Sequence, residues 1–251
     1  MGAYNKRGFT IIEVLLFLAI SGLLAMTLLT GWTAMINTQR YKDSIKTTQT
    51  FLQQQYNLVY NVQNGRSLTT KCTVGADGPE VIAVEEDDIG VVPAGQSNCI
   101  VMGRYVHING SSIKVYPILG EDSSAETNDS DKQVILDRKP IRVQQDVGMI
   151  ENELTIPWQA VTVKEHTDDT LNVAIVIVRS PQSGAVHTYS QVITGGVLPG
   201  VDGVMANSTV DVNLCMNPET ALAGGRMGVV IKAGASAQSF VQTIADGEGT
   251  C

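Results

Sequence analysis

Charge is almost missing from residues 8–39. The stretch GFTIIEVLLFLAISGLLAMTLLTGWTAMINTQ holds one charged side chain, Glu13, among its 32 residues. That excludes a solvated surface helix. From Phe9 to Ile36 the apolar run covers 28 residues, roughly 42 Å of helix at about 1.5 Å per residue. A bilayer core needs only about 20 residues. A cleaved secretory signal has an apolar stretch of about 7–15 residues, so this one is too long. The short basic leader MGAYNKRG precedes it. Lys6 and Arg7 place residues 1–8 on the cytoplasmic side and the rest of the chain outside. A carboxylate inside hydrocarbon is expensive unless partnered, so Glu13 marks a functional site.

Catalytic signatures are also missing. The chain has no GxSxG elbow, no Walker loop and no dinucleotide fingerprint. Its three histidines, His107, His166 and His187, have no Ser or Cys partner at a motif spacing. There is no CxxC pair and no HxxxH, which argues against zinc. Glu85-Glu86-Asp87-Asp88 and the 121–131 loop offer oxygen donors that would suit calcium, but neither has EF-hand spacing. No catalytic residue, metal or cofactor is therefore expected, and the chain is not read as an enzyme. Cations are outnumbered, with formal charge −8 and pI near 4.8. Loss of the leader would remove Lys6 and Arg7 and make the chain more acidic still. Such a protein repels nucleic acid overall, although a local basic patch could bind it.

What the chain does contain sets an α+β plan. After the membrane run, Tyr41, Ile45, Thr48, Leu52, Tyr56, Val59 and Val62 recur at three- and four-residue steps, which predicts that the helix continues. Gln49, Gln53, Gln54 and Gln55 are assigned to a polar face turned to solvent or neighbours. Asn64-Gly65 supplies a stop, giving one helix from Thr10 to Gln63. Downstream the period changes to two. Residues 100–108 and 112–118 flank Asn109-Gly110, a strong hairpin signal. Residues 173–178 with 185–189, and 227–232 with 239–242, predict two more hairpins. Residues 121–132 read as a polar loop without core material. Four cysteines, Cys72, Cys99, Cys215 and Cys251, all follow the apolar run. They allow three pairings. Local closure favours Cys72–Cys99 and Cys215–Cys251, each contributing roughly 3.5–4 kcal/mol by loop entropy. Free thiols or other pairings are the alternative.

The string Lys6-Arg7-Gly8-Phe9-Thr10-Ile11-Ile12-Glu13-Val14-Leu15 resembles the N-terminus of type IV pilins and of the pseudopilins of type II secretion. The resemblance implies cleavage between Gly8 and Phe9 by a prepilin peptidase, followed by methylation of Phe9. It also implies that Glu13 neutralises the N-terminal amine of a neighbouring subunit during assembly. Pilins of this kind often carry a proline about two turns after a glycine in the membrane segment. Gly22 matches the glycine, whereas the proline's position is Thr30, followed by Gly31. Glycine lowers helix stability by about 1 kcal/mol against alanine, which leaves residues 22–31 able to loosen in a filament. The implied organisation is a leader at 1–8, a transmembrane and assembly half-helix at 9–36, an amphipathic half at 37–63 and an exported β-rich domain at 64–251. The implied role is a filament subunit serving adhesion or twitching motility. Its partners would be other pilin subunits, the peptidase, the membrane platform and assembly motor, and the cytoplasmic membrane before assembly. The chain is large for an abundant pilus subunit, which favours a minor pilin. The C-terminal stretch GGRMGVVIKAGASAQSFVQTIADGEGTC resembles the closing hairpin of minor pilins, some of which bind DNA, and its cysteine matches their disulfide-bounded region. A DNA-uptake pilin, reading phosphate through Arg226 and Lys232, and a secretion pseudopilin are the competing readings.

Overall fold

The computed structural model describes residues 10–61, 70–75, 78–83, 99–122, 130–143, 152–208, 211–217, 225–232, 234–245 and 251. Helix α1 runs unbroken over Ile11–Tyr60, 50 residues and about 75 Å long. Thr10 stands extended at its N-cap, and Glu13 lies in the first turn, where a carboxylate complements the helix dipole. Asn61 closes the other end, its N–H donating to the carbonyls of Asn57 and Val59. The expected end at Gln63, the last stripe residue Val62 and the Asn64-Gly65 stop lie outside the described residues.

Two sheets follow. The larger has the order β5 (Ile141–Arg142), β4 (Ser112–Glu121), β3 (Cys99–Asn109), β8 (Asn172–Arg179), β9 (Val186–Val192), with β6 (Asn152–Thr155) also paired to β4. The smaller has the order β12 (Val241–Ile244), β11 (Met227–Ile231), β10 (Val212–Asn217), β7 (Val161–Val163). A separate hairpin joins β1 (Thr70–Gly75) to β2 (Gly78–Ala83). Every strand pair in these sheets is antiparallel. The α+β plan is therefore present: a long N-terminal helix, then antiparallel sheets. All three expected hairpins form, as β3–β4, β8–β9 and β11–β12.

Their turns differ in detail from the sequence pattern. Asn109 pairs with Ser112, leaving Gly110 and Ser111 as the two-residue loop. Gly110 takes φ +59°, which explains glycine at that position. A register shift in β3 falls between Val101 and Gly103. A Cβ on Gly103 would sit 2.0 Å from the Ile177 carbonyl oxygen, so the close approach of β8 requires glycine there.

The second half of α1 lies in the same apolar cluster as the inner faces of both sheets. Tyr41, Ile45, Leu52, Tyr56 and Val59 are buried together with Val106, Ile108, Ile175 and Ile177 of the larger sheet and Leu214, Met216, Val229 and Ile231 of the smaller. The other face of the larger sheet buries Tyr105, Ile118, Ala174, Val176 and Val178 beneath α2 (Asp131–Asp137) and α3 (Val201–Ala206). Burial on both faces accounts for the uninterrupted apolar run of β8. The polar loop expected at 121–132 is shorter at each end. Glu121 closes β4, while Asp131 and Lys132 open α2, capped by the Ser130 hydroxyl and anchored by buried Val134 and Ile135. The test of this core is Leu52→Ala. Because Leu52 has no solvent exposure, urea unfolding should show a loss of about 2–5 kcal/mol.

Candidate membrane and assembly surface

The two halves of α1 differ in environment. From Ile11 to Ile36 the large apolar side chains are exposed, with Ile11 at 82 %, Leu23 at 68 % and Trp32 at 69 %. Partial burial begins at Asn37 and Thr38, and Tyr41 is the first fully inserted side chain. Among the described residues this is the one helix long and apolar enough to cross a membrane. Its hydroxyls suit that setting because they bond back into the helix. Ser21 donates to the Phe17 carbonyl, Thr27 to Leu24 at 2.9 Å, and Thr33 to Leu29 at 2.9 Å. Gly22 and Gly31 lie within continuous helix, and a Cβ at either would meet nothing within 4 Å. No contact among the described residues demands glycine at these two places.

Glu13 is exposed on this surface, and no ion-pair partner lies among the described residues. Gly8 and Phe9 lie outside the described residues. The structure thus presents a carboxylate at the start of a bare apolar rod.

Hydrogen bonds fix the rod to the domain at several heights. The Tyr41 hydroxyl donates to the Met216 carbonyl at 2.7 Å and accepts from the Met227 N–H at 2.8 Å, bridging β10 and β11. Gln49 and Gln53 both donate to the Val241 carbonyl at 3.1 Å. Tyr56 reaches the Thr188 hydroxyl at 3.0 Å, and Thr188 donates onward to the Ala235 carbonyl at 2.5 Å. Tyr56 is the donor in that relay, and burial pushes its pKa up to about 12 despite the Thr188 bond. Arg179 caps the helix end by donating to the Tyr60 carbonyl at 3.1 Å. The glutamine assignment is corrected accordingly: Gln54 alone is fully exposed, Gln53 is half-buried, and Gln49 and Gln55 are buried. Two of these amides are spent on satisfying an interior strand carbonyl.

Cys215 is bonded to Cys251, with Cα atoms 5.4 Å apart, which ties residue 251 to buried β10. Cys99 is also disulfide-bonded. The Cys72 side chain lies outside the described ones, so its pairing with Cys99 stays an expectation.

One cluster was hidden from sequence spacing. Asp131 accepts from Ser180 at 2.6 Å and Ser183 at 2.9 Å, and His187 Nε2 lies 3.0 Å from it. These are the side-chain types of a hydrolytic triad in the wrong arrangement. Both hydroxyls bond the carboxylate, so neither is handed to the imidazole for activation. The cluster clasps α2 to the β8–β9 turn. Its hydrogen bonds, Ser180 foremost, hold the Asp131 carboxyl below the usual carboxylate range. His107 pairs with Asn172 at 2.9 Å, and burial lowers its pKa. His166 lies in a loop with φ +57°.

Arg226 and Lys232 flank β11 at opposite ends, roughly 20 Å apart at about 3.3 Å per residue. Arg226 is bound by Asp168 and the Thr167 carbonyl, and Lys232 by Asp211 at 3.1 Å. They do not form one basic patch. Glu121 and Asp122 pair with Lys139 and Arg138. No group of three or more metal-ligating side chains occurs among the described residues. Glu85-Glu86-Asp87-Asp88 and residues 123–129 lie outside them.

Residues 4–29 match the family model described as the prokaryotic N-terminal methylation motif, the motif of type IV pilin and pseudopilin precursors cut by a prepilin peptidase. The match covers the first part of the exposed rod and none of the β domain. No curated protein and no solved structure gives a significant match.

Two outcomes are expected from this geometry. Asp131's contribution to stability is fully present above its ordinary pKa of about 3.9 and is lost as pH falls through its lowered folded value. Wild type should therefore exceed Asp131→Asn by about 1 kcal/mol at pH 7, with the gap closing in acid-series urea melts as the pH falls through the lowered folded value. Cys251→Ser should cost about 2–4 kcal/mol in the same assay.

Proposed function

We propose that this chain, carrying the prepilin motif, is the precursor of a structural filament subunit of the type IV pilus or pseudopilus class. The observation that carries the reading is a bare apolar half-helix whose first-turn carboxylate has no ion-pair partner among the described residues, continuous with a second half that is buried in the domain core. Residues 1–8 are the leader, and cleavage after Gly8 frees the amine of Phe9 for methylation. Before assembly, residues 9–36 span the cytoplasmic membrane with the β domain outside. Neighbouring subunits then replace lipid around the rod. Glu13 is the residue that accepts a neighbour's N-terminal amine, since two unpaired charges in hydrocarbon are each costly and docking removes both penalties. The domain formed by residues 64–251 faces outward, where it serves adhesion or motility. The role is mechanical, not catalytic. Platform, motor, peptidase and other pilin subunits are the partners of this cycle. A DNA-uptake role has less support, because the two C-terminal cations are separated and each is already paired with a carboxylate.

Sheared surface fibres test the reading by intact mass. The expected species starts at methylated Phe9 and carries two disulfides, at low abundance for a minor pilin. Recovery only in membranes, with residues 1–8 attached, would discard it. Glu13→Ala should insert and lose its leader normally yet fall at least about tenfold in sheared fibres, since even a 1.4 kcal/mol loss per contact is tenfold. Normal incorporation would sink the charge-pairing argument.

A further inference from the structure

The turn between β6 and β7 carries a side chain that the core does not use. Trp158 adopts φ +61° and ψ +30°, and Gln159 follows at φ +58°. Two successive residues with side chains in the left-handed region are costly, most of all for an indole. The surroundings enforce the conformation. Ile156 and Ala160, on either side, are each 2 % exposed, and Pro157 starts the turn. The result is an indole 55 % exposed on a firmly anchored turn. Strain kept at one outward-facing side chain is a pointer to use.

Position specifies the use. The Trp158 turn packs against α1, and the Arg40 guanidinium lies 4.8 Å from the indole centroid. Arg40 is four residues past Ile36, the last residue of the exposed apolar run, which is about 6 Å further along the helix. The headgroup layer adds about 5–8 Å to each side of the hydrocarbon core. With the helix tilted so that the whole 9–36 run lies within the hydrocarbon core, the pair stands at headgroup height. An indole with an apolar body and one N–H donor prefers that layer. A guanidinium beside it matches phosphate oxygens.

We propose that Trp158, with Arg40, is an interfacial anchor that seats the β domain on the phospholipid headgroups of the outer leaflet before assembly. The anchor rests on the membrane-spanning reading of residues 9–36. It fixes the rotation of the domain about α1 relative to the bilayer, and extraction into a filament must break it.

The chain has two tryptophans, Trp32 and Trp158, so each can be read alone in the full-length protein. Trp32→Phe would be reconstituted in phosphatidylethanolamine and phosphatidylglycerol vesicles with a spin label on the headgroup or at mid-chain. Trp158 fluorescence should be quenched by the headgroup label roughly threefold more than by the mid-chain label, and Arg40→Gln in the same background should weaken that quenching. Trp158→Phe reports Trp32 as the control. If lipid labels quench Trp32 but leave Trp158 untouched, the span holds and the anchor is overturned. If neither tryptophan is quenched, the membrane reading fails and the anchor falls with it. If Trp158 escapes lipid labels yet becomes shielded from iodide only at high subunit density, the indole belongs to a contact between copies and the proposal is overturned.

Discussion

An α-helix satisfies its own backbone, and that single fact lets one element serve two solvents. Hydrocarbon tolerates no unpaired N–H or carbonyl, and neither does a protein interior. Helix α1 can therefore leave one and enter the other without a break. The rest of the fold follows from that passage. The inner faces of both sheets share one apolar cluster with the second half of α1. Without α1, the inner residues of two sheets would face solvent together.

The helix also explains where polar groups are found inside. Tyr41, Gln49, Gln53 and Tyr56 turn toward the sheets because each reaches a carbonyl or hydroxyl there that accepts its hydrogen bond. Burying an amide is tolerable when it is met by such an acceptor. The outcome is a helix positioned by directional bonds as well as by apolar burial.

Sequence legibility tracks the range of the interactions. The stripe from Tyr41 to Val59 was readable because three- and four-residue spacing is a local property of helices, and the hairpins because alternation and turn residues are local too. The glutamine face was misread for the opposite reason. Gln49 finds its acceptor at Val241, 192 residues away, and no local pattern announces it. The Asp131 clasp draws on positions 131, 180, 183 and 187, which only the folded sheet brings together. Strands as short as β5 and β7 contain too few residues for alternation to register. The backbone at Trp158 and Gln159 was invisible, since neither residue type favours the conformation it holds.

The bonds along α1 have a mechanical consequence. Tyr41, Gln49, Gln53 and Tyr56 are spread over about 22 Å of one rod, and their acceptors lie in two different sheets. A pull along the helix axis loads these attachments side by side, so they share the tension and do not yield one after another. The domain is thus held to its rod in shear. That arrangement suits the filament-subunit role proposed above, in which tension would pass along the rod.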